Sequence, residues 1–177
     1  RLNWNDIVVV SQNASSMGGS QIFLETNEMM SVEDLVKGIC IASGNDATVA
    51  LAEKIAGTEK AFVKLMNDKV KELGLKNTNF VNSTGLDAEG HYSTAYDMAI
   101  MARELIKHEK ILEFSSIYED YLREKKEKED GKKLWNKVPK SVTDKVIQAT
   151  IGEDTINTIF SKVDELIGDN SIDLVVG

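Results

Sequence analysis

The stretch that most constrains the fold runs from Met30 to Gly57, where two apolar helical stripes are separated by four small or polar residues. Ser31 followed by Asp34 is a capping-box-like start, with one side chain reaching the first-turn amides. Val32, Leu35, Val36, Ile39 and Cys40 then recur at the i, i+3, i+4, i+7, i+8 spacing of a buried helical face. Ala47, Leu51 and Ile55 carry a second stripe, and Gly57 stands where a helix ends in a left-handed residue. Between them lies Ser43-Gly44-Asn45-Asp46. One reading is a joint between helices, with Gly44 bending the chain and Asn45 or Asp46 capping the next helix. The other is a hydroxyl and a carboxamide held on a rigid turn to meet a ligand, because polar groups at such a place need partners.

The surrounding wording separates these readings. Residues 16–25 read S-M-G-G-S-Q-I-F-L-E, residues 30–47 contain the S-G-N-D-A run, residues 82–86 read N-S-T-G-L and residues 92–99 read Y-S-T-A-Y-D-M-A. In this order they resemble the low-molecular-mass penicillin-binding D-alanyl-D-alanine carboxypeptidases of the serine β-lactamase/DD-peptidase superfamily. The resemblance spans about residues 1–123 and implies that Ser43-Gly44-Asn45 is the second of that family's three active-site motifs. It implies a proton-relay role for Ser43 and a substrate-carbonyl contact for Asn45. It also places the 82–86 loop, with Thr84 and Gly85, on the cleft wall, although a structural turn explains that loop equally well. The substrate class implied is a peptidoglycan stem peptide or a β-lactam, handled outside the cytoplasm of a bacterium with neither cofactor nor metal.

Two parts of the family's chemistry are missing from the 177 residues. Acyl transfer there uses a serine activated by a lysine one helical turn later, S-x-x-K, so that both side chains share a helix face. No serine in the chain is followed three residues later by lysine. The third motif, Lys-Thr/Ser-Gly, is also absent; Lys140-Ser141-Val142 lacks the glycine and adjoins Pro139, a poor neighbour for a central strand. Ser43 is therefore not a nucleophile, and the chain is expected to be inactive alone. A non-catalytic peptidoglycan- or partner-binding module is the alternative, and a complex whose other chain carries S-x-x-K is a third possibility. The chain opens at Arg1, without Met and in mid-pattern, which predicts an upstream piece.

Composition narrows the field. A formal charge of −8 argues against nucleic acid, whose phosphates call for a basic face. No apolar run approaches the roughly 20 residues of a membrane span, and no signal peptide stands at the start. Cys40 is the single cysteine, expected as a small core hydrophobe.

The fold class expected is mainly α (α+β), the helical portion of the DD-peptidase/β-lactamase-like fold, with a short β-hairpin and a helix–strand tail. Ile7–Val10 and Gln21–Leu24 read as strands of the hairpin, turned by Gly18-Gly19. Thr58 caps a helix with a Phe62, Leu65, Met66, Val70, Leu73 face, closed by Gly74 and Leu75. Phe80-Val81 is strand-like, and Thr94 with Asp97 opens a helix bearing Met98, Met101, Ala102, Leu105 and Ile106. His91 reads as a solvated loop residue and His108 as a partner for a helix dipole. Residues 124–140, with seven Lys against four acids, read as a charged linker or exposed hairpin anchored by Trp135. Residues 141–177 read as a tail with a helix over 156–167 and a strand over 172–176.

Overall fold

In the computed structural model, which describes residues 2–122 and 132–135, Ser31 does cap the helix α2, Val32–Ala42. Its hydroxyl accepts from the Asp34 amide at 3.0 Å and donates to the Asp34 carboxylate at 2.8 Å. The buried stripe of α2 is Val32, Leu35, Gly38 and Ile41, a small rotation from the expected face, so that Val36, Ile39 and Cys40 sit at its half-buried margin. The rotation follows from Gly38, which lies directly against Ile22: a Cβ there would stand 2.8 Å from Ile22 Cδ1. The helix approaches its neighbour closely because this residue has no side chain.

The next helix, α3 (Asn45–Ala56), is the buried centre of the fold. Ala47, Val49, Ala50, Leu51 and Ala52 are all buried, a nearly continuous set made possible by small side chains. It packs on α2, on α1 (Gln12–Ser15), on β1 (Ile7–Val9) and on α4 (Glu59–Glu72). Ile55 departs from the expected stripe: it is 50% exposed, because the helix leaves the core in its last turn before Gly57, at φ 81°, ends it.

The hairpin expectation is corrected in its partner. β1 pairs antiparallel with β2, Met29–Ser31, in the register Ile7↔Ser31, Val8↔Met30, Val9↔Met29. Residues 21–24 form no strand; Ile22 and Leu24 instead put their side chains into the core while their amides are taken by a side chain described below. Similarly, Phe80-Val81 is not a strand; the pairing nearby is a single bridge between Asn79 and Tyr92.

Thr58 caps α4 through the Ala61 amide, and its far end closes as read, with Gly74 at φ 71° and the Leu75 amide on the Val70 carbonyl at 3.0 Å. Yet Leu65 is half exposed, and Val70 alone of its apolar stripe is buried. α5 (Ala95–Leu105) differs more: Met98 and Leu105 are exposed, and its buried residue is Asp97. That carboxylate accepts from the Asn77 amide at 2.9 Å and the Thr78 hydroxyl at 2.8 Å, so α5 is tied down by polar bonds rather than by a full apolar face.

α6 (Glu109–Ser115) returns to α2. Phe114 is fully buried, meets Trp4 edge-on at 5.5 Å, and lies beneath the ammonium groups of Lys37 and Lys110. Burial works against the charge on Lys37, but the hydrogen bond and charge of Asp120, with Glu33, hold its ammonium above the ordinary lysine range. β3 (Glu119–Leu122) pairs antiparallel with β4 (Lys132–Trp135), inside the charged stretch 124–140. The expected anchor role of the Trp135 side chain, the helix over 156–167 and the strand over 172–176 lie outside what is described.

Candidate functional site: the Ser43–Asn45 turn

The turn between α2 and α3 is made by Ser43, not by Gly44. Ser43 has φ 55° and ψ 43°, left-handed for a residue with a side chain, and its amide bonds the Ile39 carbonyl at 3.0 Å. Such a conformation costs about 1–2 kcal/mol without glycine and is retained where its surroundings dictate it. Gly44 has an ordinary φ of −68° and is there for space: a Cβ would meet Asp46 Oδ1 at 3.1 Å, Ile22 Cγ2 at 3.2 Å and the Gly38 carbonyl at 3.4 Å. The left-handed turn leaves the Ser43 side chain exposed, with no hydrogen bond to its hydroxyl among the described residues.

Asn45 is 6% exposed. Its backbone amide donates to the Ser20 carbonyl at 2.8 Å and its side-chain amide to the Gly18 carbonyl at 2.9 Å. One N–H of the carboxamide is thus committed; a carboxamide has two, and the second has no partner among the described residues. The helix-joint reading expected Asn45 or Asp46 to cap α3. Instead Gly44 is the N-cap, with no side-chain cap bond, and both residues lie inside the first turn. The buried Asp46 carboxylate accepts from the adjacent Ala47 amide at 2.9 Å and from Ile22 N–H at 3.0 Å and Leu24 N–H at 2.9 Å, more than twenty residues away. Sequence inspection missed that role, since a carboxylate in the first turn of a helix looks like a cap and nothing more.

The second candidate pair lies on the 82–86 loop, which is organised by Asn82. The Asn82 carbonyl oxygen accepts from the Thr84 amide and hydroxyl, both at 3.2 Å, and from the Gly85 amide at 2.8 Å; its NH2 donates to the Leu86 carbonyl at 2.7 Å. The loop is fastened to α4 by Glu59, whose Oε1 accepts from both the amide and the hydroxyl of Ser83. Gly85, at φ 78°, makes the turn. The two candidate segments meet at Gly19: a Cβ there would stand 2.7 Å from Asn45 Nδ2 and 3.5 Å from Leu86 Cδ2. The N-S-T-G-L loop and the S-G-N turn are therefore neighbours across one glycine.

His91 accepts from the Val81 amide through Nδ1 at 3.3 Å and packs edge-on against Phe80, a loop-fixing role. Cys40 is half-buried, and burial pushes its thiol above the ordinary range, opposed by a hydrogen bond with Ser115. Among the described residues no group of three or more His, Cys, Asp or Glu is placed to hold a metal ion. An apolar groove of about 430 Å³ runs between α4 and α5, and a hollow of about 620 Å³ lies beside Trp4 and Leu105; neither is lined by Ser43, Asn45, Thr84 or Gly85.

The family model described as D-alanyl-D-alanine carboxypeptidase matches residues 1–150. The chain belongs to that family. The match reaches beyond residue 123, where the resemblance was expected to end. Among the carboxypeptidases, DacF of Bacillus subtilis is 61% identical over 135 residues, covering 76% of this chain and 34% of its own length. DacD of Salmonella typhimurium is 42% identical over 126 residues, covering 68% of this chain and 32% of its own. The chain thus spans about a third of the length of the curated carboxypeptidases it matches. In fold it is similar to the crystal structure of DacD from Francisella tularensis, with TM-score 0.68, 39% identity and coverage of 74% of this chain and 32% of that one. It is likewise similar to penicillin-binding protein 6B from Escherichia coli, with TM-score 0.71, 31% identity and coverage of 86% and 45%. These likenesses bear out the expected helical portion of a DD-peptidase fold. Among the described residues no helix is long and apolar enough to cross a membrane.

Proposed function

We propose that this chain supplies one wall of a serine D-alanyl-D-alanine carboxypeptidase site, which trims the terminal D-alanine of peptidoglycan stem peptides outside the bacterial cytoplasm. In this reading the Ser43 hydroxyl relays a proton, and the remaining N–H of the Asn45 carboxamide donates to a peptide carbonyl of the stem peptide or to the corresponding carbonyl of a β-lactam. Thr84 and Gly85 shape the adjoining rim, with the Thr84 hydroxyl occupied by Asn82 and so acting through the shape of the loop. The observation that carries the reading is the pairing of an open hydroxyl on a left-handed residue with a carboxamide half committed to Gly18. A plain helix joint accounts for the left-handed residue but not for a buried carboxamide that reaches back to Gly18.

Acylation requires a serine with a base to take its proton and donors for the developing oxyanion. Without S-x-x-K and Lys-Thr-Gly, what remains is principally binding, since loss of nucleophile and base removes several orders of magnitude in rate. The expected result is no penicilloyl adduct on the isolated chain in intact-protein mass spectrometry under excess penicillin. A stoichiometric adduct appears when the chain is joined to S-x-x-K and Lys-Thr-Gly segments of the family. An adduct on the isolated chain overturns the incomplete-site reading. No adduct on the joined protein favours a binding module.

A further inference from the structure

The geometry points to Asp46 as a positioning residue that sets the aim of the Asn45 carboxamide by holding the 18–24 segment across the start of α3. Four backbone groups of that segment, at every second residue, are held by two consecutive residues, three of them by side chains and one by the Asn45 backbone amide. The Gly18 carbonyl accepts from the Asn45 side chain, the Ser20 carbonyl accepts from the Asn45 amide, and the Ile22 and Leu24 amides donate to the two carboxylate oxygens of Asp46. The segment is not a strand, since Gly19 at φ 77° and Phe23 at φ 56° are left-handed, and these bonds to two consecutive residues hold it where a strand pairing would otherwise do so.

The division of labour follows from strength and burial. Hydrogen bonds from backbone N–H to a carboxylate are charge-assisted and about twice as strong as neutral ones. Asp46 is 1% exposed and spends both oxygens on the segment. The Asn45–Gly18 bond is neutral and lies at the segment's exposed end, where Gly18 and Gly19 have no side chains to fix their own position. Ile22 and Leu24, buried at 0% and 4%, keep the segment on the core, but hydrophobic contact is non-directional and does not set the register of Gly18. Asp46 sets it from four residues away, together with the Ser20 carbonyl bond to the Asn45 backbone amide.

The test is solution NMR on this chain without ligand, reading the scalar coupling across the hydrogen bond from Asn45 Nδ2 to the Gly18 carbonyl carbon. Hydrogen exchange of the Asn45 side-chain amide is read alongside. The functional meaning of the aim rests on the carbonyl-binding reading of Asn45, whereas this measurement does not, so the two fail separately. Asp46→Asn is expected to abolish the coupling and to speed exchange of the Asn45 amide by about tenfold or more. The Ala61 amide, capped by Thr58 on α4, serves as the distant reference and stays unchanged. Should Asp46→Asn fail to fold, Asp46→Glu keeps the charge and both oxygens while moving them by one methylene, and the same loss of coupling is expected. An unchanged coupling in either folded variant overturns the proposal. Failure of both to fold also overturns it, assigning Asp46 to folding alone.

Discussion

The side-chain amide of Asn45 donates to the Gly18 carbonyl at 2.9 Å, while the next residue, Gly19, leaves room for that amide only because it lacks a side chain. The bond joins a residue read as part of a motif to one read as part of a hairpin turn. It brings the glycine pair of residues 18–19 to the same place as the left-handed turn at Ser43.

Gly19→Ala tests that place directly. The new Cβ would stand 2.7 Å from Asn45 Nδ2 on a backbone with φ 77°. The left-handed penalty alone is about 1–2 kcal/mol. The displaced amide adds to it, so the urea midpoint of the variant falls and the Asn45 side-chain NMR signals shift.

Leu35 and Ile55 separate core from margin within the two central helices. Leu35 is fully buried, so Leu35→Ala is expected to cost about 2–5 kcal/mol in denaturant unfolding. Ile55 is 50% exposed, and Ile55→Ala is expected to stay within about 0.5 kcal/mol of wild type. Equal losses at the two positions contradict the observed end of the buried stripe.

Glu59 anchors the 82–86 loop through both the amide and the hydroxyl of Ser83. Glu59→Gln keeps an acceptor oxygen but removes the charge that strengthens both bonds. Hydrogen exchange at Ser83 is expected to quicken, while exchange in α2 and α3 is unaltered. Unchanged exchange at Ser83 would show that the loop holds itself through Asn82.

Cys40 gives the pH dependence. Its thiol is pushed up by burial, with Ser115 partly offsetting the effect. A raised folded pKa means that the folded state holds the proton more tightly than the unfolded chain. Stability from this group is therefore complete below the ordinary thiol range and falls as pH rises through the elevated folded value. Alkylation by iodoacetamide at pH 8 is expected to be slower than that of the urea-unfolded chain, because the thiolate is the reacting form. Equal rates would indicate that the thiol is open to solvent.

The local signals in the sequence carried far. The Ser31, Thr58 and Thr94 caps follow from side chains acting three residues along, and the Gly57 and Gly74 ends from the left-handed backbone that glycine adopts freely. The motif wording also sufficed to name the family, because several short segments kept their order. Periodicity, by contrast, ranks which face of a helix is apolar without saying how much of it is covered. Ile55, Leu65, Met98 and Leu105 all obey the helical spacing and all remain half exposed, since burial depends on what lies opposite.

What only the tertiary structure decided are the long-range polar bonds. Asp46 reaches Ile22 and Leu24, Asn45 reaches Gly18, and Asp97 reaches Asn77 and Thr78, across separations of 19 to 27 residues. The strand expected at 21–24 was lost for the same reason: its amides went to a buried carboxylate, and β1 took residues 29–31 instead. A carboxylate in a first helical turn has the same local signature whether it caps the helix or crosses the fold. A buried donor must be satisfied, but the chain alone does not say by whom, and that choice is made when distant segments are packed together.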